Sequence, residues 1–150
     1  MEKFESADAL LDFAIEGEEE AAKFYADLAE RTAAPVNEVF RDFAKEEVGH
    51  KEKLLKVKAG KKFAPVERKI MDLKIADYVV DADVEGELDY QQALVIAMKK
   101  EKAAFKLYLE LSETTEDASL KSLMLALAQE EAKHKLRFEV EYDENILTEN

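Results

Sequence analysis

The chain contains Ala44-Lys45-Glu46-Glu47-Val48-Gly49-His50 and, later, Gln129-Glu130-Glu131-Ala132-Lys133-His134. In both stretches a histidine follows a glutamate by three residues, and on an α-helix residues at that spacing share one face. The chain has only 2 histidines, and both occur in this pattern. The two stretches therefore predict a pair of equivalent helices that each present a carboxylate and an imidazole together.

The sequence around these stretches has the apolar rhythm of amphipathic helices, with an apolar residue about every 3.5 positions. Ala, Leu, Glu and Lys dominate, and only 4 Gly and 2 Pro occur, too few for the turns of a sandwich or barrel. A capping box at Asp89 and Gln92 marks one helix start. We predict an all-α chain whose four helices run from about Ser6 to Arg31, Pro35 to Ala59, Asp89 to Ser112 and Glu116 to Tyr142.

Short loops join the first helix to the second and the third to the fourth, so each pair is expected to be an antiparallel hairpin. Residues 60–88 connect the hairpins, and 29 residues can travel the full length of a bundle. Two hairpins joined by one long crossover are the topology of a ferritin-like four-helix bundle. We expect one domain over residues 1–150, with a helical turn or two at 75–80 packed on its outside.

The two hairpins form an internal repeat. Positions in the first helix recur 83 residues later in the third, as in Glu18/Glu101 and Tyr25/Tyr108. Positions in the second helix recur 84 residues later in the fourth. Agreement at both apolar and polar positions indicates a duplicated hairpin, whose two halves contribute equivalent residues to one central site.

The apolar residues of each predicted helix form a stripe that faces the interior of the bundle. Each stripe is apolar except at its middle. There the first and third helices each present one glutamate, and the second and fourth each present the glutamate and histidine of the opening motif. These candidate metal ligands are Glu18, Glu47, His50, Glu101, Glu131 and His134.

Buried carboxylates that lie close together repel one another and are costly without a cation. Two divalent ions carry four positive charges, which balance the four carboxylates. One glutamate from each of two helices plus Glu-x-x-His from each of the other two is the pattern of di-iron and di-manganese bundles. The mixed oxygen and nitrogen donors suit iron or manganese better than zinc. The alternative is a structural bundle whose ligands stay vacant.

Two tyrosines follow the glutamates of the first and third helices by two turns. Tyr25 and Tyr108 are candidate catalytic residues that could hydrogen-bond a ligand carboxylate or carry an electron, although core packing alone would also place them there. The remaining glutamates near the motifs lie off the stripes and are predicted to be surface residues: Glu16, Glu19, Glu20, Glu46 and Glu130.

The net charge of −13 argues against nucleic acid as a partner, because no basic surface is available to displace phosphate counterions. The acidic N-terminus does not resemble a secretory signal, and no apolar run approaches the roughly 20 residues that span a bilayer. We therefore expect a cytoplasmic protein that does not contact a membrane. The absence of cysteine excludes disulfides and thiol chemistry.

The metal-binding stretches resemble the rubrerythrin-like branch of the ferritin-like superfamily. The resemblance is carried by residues 14–25, 44–50, 100–108 and 129–134 and covers all four helices. It implies two iron ions that react with hydrogen peroxide or dioxygen. By that match Glu47 and Glu131 bridge the irons and Glu18 and Glu101 are terminal ligands, while each histidine completes one iron.

Two features depart from that family. Ala104 stands where rubrerythrins proper carry an extra carboxylate, one turn after the ligand of the third helix. A chain without cysteine also lacks the rubredoxin domain that delivers electrons. We therefore expect a di-iron oxidoreductase that draws electrons from an external donor, such as a rubredoxin-type protein, and that forms a homodimer. The alternatives are a ferroxidase that stores iron and a di-iron hydroxylase of a small organic substrate.

Overall fold

A computed structural model of the chain describes residues 6–60, 78–79 and 89–144. These residues contain four helices and no strand: α1 (Ala7–Glu30), α2 (Val36–Gly60), α3 (Tyr90–Thr114) and α4 (Ala118–Tyr142). The predicted all-α class is confirmed, and every predicted helix end lies within two residues of the observed one. None of the described helices is long and apolar enough to cross a membrane.

The helix starts follow the local sequence. Ser6 has an extended backbone, with φ −160° and ψ 169°, and its side chain accepts a hydrogen bond of 3.1 Å from the Ala9 N–H. At α3 the Gln92 N–H donates to Asp89 Oδ1 at 2.7 Å, and the Asp89 N–H donates to Gln92 Oε1 at 3.1 Å. Two N–H groups that lack a partner within the helix are thereby satisfied, as the capping box predicts.

The α1–α2 hairpin belongs to one compact unit of the chain. Residues 31–35 link the two helices, and the Arg31 N–H closes α1 by donating to the Leu28 carbonyl at 3.1 Å. Two ion pairs join the helices at their surface, Lys58 with Asp12 and Lys51 with Glu19. The apolar stripes of both helices are buried, and this burial of apolar surface is what stabilises such amphipathic helices.

The α3–α4 hairpin lies in the second compact unit up to Glu113 and from Ala118 onwards. Near the start of α3, the Tyr90 hydroxyl donates to Glu141 Oε1 at 2.7 Å, and Gln91 Nε2 donates to the Tyr142 hydroxyl at 3.1 Å. These bonds tie the beginning of α3 to the end of α4. Along the length of both helices the apolar stripe residues are buried, among them Leu94, Leu111, Met124 and Phe138.

Only two residues of the predicted crossover are described. Tyr78 is buried in a turn, and its hydroxyl donates a hydrogen bond to Glu110 of α3. Lys106, one turn earlier on α3, lies 5.9 Å from the centre of the Tyr78 ring. Apart from Tyr78 and Val79, the helical turns predicted at 75–80 lie outside the described residues.

Candidate metal centre

On α1 the apolar stripe positions one carboxylate. Ala14, Ala21 and Tyr25 are buried on the same side of the helix, and Glu18 lies between them with 3% of its surface exposed. The stripe continues because residues three, four and seven positions apart share a helical face. The packing of the apolar residues therefore carries the glutamate into the interior with them.

On α2 the Glu-x-x-His motif is buried as a unit. Glu47 is 1% exposed and His50 is 2% exposed, between Phe40 and Leu54, which are fully buried. The imidazole Nδ1 lies 3.6 Å from Glu47 Oε1 and 3.5 Å from Glu18 Oε2 of α1. Glu18, Glu47 and His50 each offer a donor atom within 4.8 Å of the other two.

The α3–α4 hairpin repeats this arrangement. Glu101 and Glu131 are each 1% exposed, and His134 is 3% exposed. His134 Nδ1 lies 3.7 Å from Glu101 Oε1, and all three residues offer donor atoms within 4.8 Å of one another. Each hairpin by itself therefore brings together two carboxylates and one imidazole.

The separations within each cluster fit a shared cation. Nitrogen–oxygen distances of 3.5–3.7 Å exceed the usual 2.7–3.2 Å of an N–H···O hydrogen bond. Two ligands held about 2.1 Å from one ion, at tetrahedral or wider angles, lie about 3.4–4.2 Å apart. Two carboxylates and a neutral imidazole carry a charge of −2, which one divalent ion neutralises. The donors of each hairpin therefore suit one divalent metal ion.

The glutamates predicted to lie off the stripes are not buried. Glu16, Glu20 and Glu46 are exposed, and Glu19 and Glu130 are partly exposed. The Lys51 ammonium, which lies 2.5 Å from Glu19 Oε1, lowers the pKa of the Glu19 carboxyl by hydrogen bonding and by its charge. Glu18 and Glu19 are adjacent in sequence and separate into a buried and a surface carboxylate because they face different sides of α1.

The two candidate tyrosines are buried, Tyr25 at 0% and Tyr108 at 1% exposure. The Tyr25 ring makes edge contacts with Phe24, at 5.9 Å between ring centres, and with Phe43 of α2, at 6.4 Å. The residues that correspond to these phenylalanines in the second hairpin are aliphatic, Leu107 and Leu127. Both hairpins therefore have a buried tyrosine at this position, but its neighbours are aromatic in the first hairpin and aliphatic in the second.

One buried carboxylate was missed from the sequence. Glu141 is 5% exposed and accepts the hydrogen bond of Tyr90. Burial, together with this carboxylate, raises the pKa of the Tyr90 hydroxyl well above its usual value. A signal was present, because Glu141 follows the buried Phe138 by three residues and therefore shares its face.

Comparison with known proteins supports this architecture. The crystal structure of a Thermotoga maritima protein, provisionally described as a ferritin-like diiron-carboxylate protein, superposes with a TM-score of 0.78. The match covers 97% of this chain and 99% of that chain at 22% sequence identity, and it shows that the chain has the ferritin-like fold. A search of curated protein sequences gives no match. The sequence model of the rubrerythrin family matches residues 9–142, so the chain belongs to the rubrerythrin family.

Proposed function

We propose that the protein is a non-haem di-iron oxidoreductase that reduces hydrogen peroxide or dioxygen with electrons from an external donor. The observation that carries the proposal is the pair of matched clusters, one in each hairpin, with every donor residue at most 3% exposed. Membership of the rubrerythrin family favours iron over manganese as the metal. The absence of cysteine from the sequence favours a separate electron donor.

Each cluster would hold one ion. Glu18, Glu47 and His50 would bind the first, and their counterparts Glu101, Glu131 and His134 the second. Bound iron supplies Lewis acidity and a store of electrons for the oxidant. The burial of the clusters keeps bulk water away from them, which strengthens the electrostatic interactions inside the site.

The two tyrosines are proposed to position a ligand carboxylate by a hydrogen bond or to conduct electrons. Tyr25 lies two turns from Glu18 on the buried face of α1, and Tyr108 has the equivalent place on α3. A phenol donates a hydrogen bond when neutral and can be oxidised by one electron. Tyr25→Phe and Tyr108→Phe are expected to preserve the metal content and to lower the rate of oxidant reduction.

The ligand assignment is tested by metal analysis. Purified protein loaded with Fe(II) without oxygen is expected to hold two iron ions per chain by elemental analysis. His134→Ala should lose at least one of them. Glu20→Ala is the matched control, since Glu20 is an exposed glutamate two residues from Glu18, and it should keep both. Unchanged iron in His134→Ala would refute the assignment.

The reaction is tested by adding peroxide or dioxygen separately to the iron-loaded protein and following iron oxidation by its ultraviolet absorption. Catalytic consumption of the oxidant with an added donor supports the proposal. Iron oxidation without turnover, in a many-subunit shell seen by light scattering, would support the storage alternative. An oxygenated organic product would support the hydroxylase.

A further inference from the structure

The α3–α4 hairpin carries a groove of about 390 Å³ on its surface. Its lining combines apolar and charged side chains from both helices: Lys102, Phe105, Ala132, Lys135, Leu136 and Glu139. The two lysines directly follow residues of the buried cluster, Lys102 after Glu101 and Lys135 after His134. The groove therefore lies on the outer side of the same helix segments that carry the second set of metal ligands.

The groove differs from the equivalent surface of the α1–α2 hairpin. The residues that correspond to Lys102 and Lys135 are Glu19 and Lys51, which form an ion pair of 2.5 Å between α1 and α2. The second hairpin has two lysines at these positions, so no such pair can form. Lys135 pairs instead with Glu139 of its own helix. No carboxylate pairs with Lys102 within residues 6–60, 78–79 and 89–144.

The apolar lining also differs from the duplicate. Phe105 corresponds to Ala22, and Leu136 corresponds to Glu52. Leu136 is 60% exposed, the largest value among the exposed large apolar residues of the described chain. The first hairpin has a glutamate at the equivalent position. An exposed leucine lowers the solubility of the protein and does not add to its core. Together with Phe105 and Ala132, Leu136 lines one groove beside charged side chains, and an apolar surface rimmed by polar residues is typical of a contact site.

The charge around the groove is opposite to that of the whole chain. The net charge is −13, yet α3 presents the lysines 99, 102 and 106 along one side, where α1 has Glu16, Glu19 and Lys23. A partner attracted to this face must therefore be acidic. The rest of this acidic chain would repel such a partner, which would direct it towards the groove.

We propose that the groove is the docking surface for a one-electron carrier protein that presents acidic side chains around an apolar contact. The inference rests on the proposed function, which requires an external donor. A carrier bound here would be separated from the α3–α4 cluster by about one helix diameter, roughly 10–12 Å. Each encounter oxidises the carrier by one electron and reduces the iron-loaded protein by the same electron, with no bond made or broken.

The test measures the binding of a rubredoxin, used as an acidic one-electron carrier, by calorimetry with the iron-loaded protein. Lys102→Glu and Leu136→Glu each restore the residue of the first hairpin. Each is expected to raise the Kd at least about tenfold, which corresponds to about 1.4 kcal/mol. Wild-type binding should also weaken between 20 and 200 mM salt, as charge attraction requires.

Two matched controls lie on α2, where Lys45 and Leu55 are exposed. Lys45→Glu changes the net charge by the same amount as Lys102→Glu, and Leu55→Glu by the same amount as Leu136→Glu. Both controls should leave the Kd within about twofold of the wild-type value. No binding by the wild type, or equal binding by all variants, would overturn the proposal. A wild-type dimer that Leu136→Glu converts to a monomer in sedimentation would also overturn it, because the groove would then be a contact between copies.

Reduction by dithionite separates this inference from the proposed function. Lys102→Glu reduced chemically should consume peroxide as fast as the wild type, because dithionite does not need the docking surface. If the reduced wild type consumes no oxidant but still binds rubredoxin through the groove, the proposed reaction fails and the docking surface stands.

Discussion

Glu47→Gln is expected to stabilise the metal-free protein and to destabilise the metal-loaded protein relative to the wild type. Donor atoms of Glu18 and Glu47 lie within 4.8 Å of each other, and both residues are buried. At an effective dielectric constant of about 20, two unit negative charges at that distance repel by about 3 kcal/mol. Glutamine keeps the shape of the side chain and removes one of the two charges.

The expected gain in the metal-free protein is therefore up to about 3 kcal/mol, or a melting temperature higher by roughly 6–12 °C in a chain of this length. Metal reverses the order. One ion present at a thousand times its Kd adds about 4.1 kcal/mol to the stability of the wild type, which exceeds the gain of the metal-free variant. Glu47→Gln should lose this contribution at the α1–α2 cluster.

The assay is urea unfolding followed by circular dichroism at pH 8, first with a chelator and then with Fe(II) in the absence of oxygen. Glu20→Gln controls for the loss of one negative charge at an exposed position, and it should show the wild-type response to metal. Two outcomes would refute the reasoning. One is a metal-free Glu47→Gln that is no more stable than the metal-free wild type, and the other is full metal stabilisation of the variant.

Two further predictions concern the contribution of residues that are not metal ligands to stability. Tyr90→Phe removes the hydroxyl that donates to the buried Glu141 at 2.7 Å, and it should lower the free energy of unfolding by about 1–3 kcal/mol at pH 7. Because the pKa of Tyr90 is raised in the folded state, its contribution is complete below the unfolded pKa of about 10 and is lost as the pH rises further. Urea titrations from pH 8 to 11 should show a smaller decline in Tyr90→Phe than in the wild type, and equal declines would contradict this assignment. Leu54→Ala, at a fully buried position, should cost about 2–5 kcal/mol, whereas Leu55→Ala, at a position 43% exposed, should change stability by about 0.5 kcal/mol or less. Similar losses in both variants would show that the helical register of α2 is wrong.

The sequence was sufficient for the helices and for the burial of the six candidate ligands. The reason is local, since a helix places residues three and four positions apart on one face, and burying an apolar stripe carries any polar residue within it inward. Glu18 and Glu47 could therefore be separated from Glu19 and Glu46 without a structure. The duplication strengthened the prediction, because each half repeated the pattern independently.

Only the tertiary structure decided which side chains from different helices meet. Glu19 and Lys102 occupy the same place in the repeat, and each hairpin packs a lysine of its second helix against that place. Glu19 therefore forms an ion pair with Lys51, whereas Lys102 lies beside Lys135 at the groove. Glu141 shares the helical face of the buried Phe138, but its hydrogen-bond partner Tyr90, 51 positions away, is set by the packing of α3 against α4. Periodicity along one helix determines which residues face inward, but the partner that each side chain meets depends on how a second helix packs against the first.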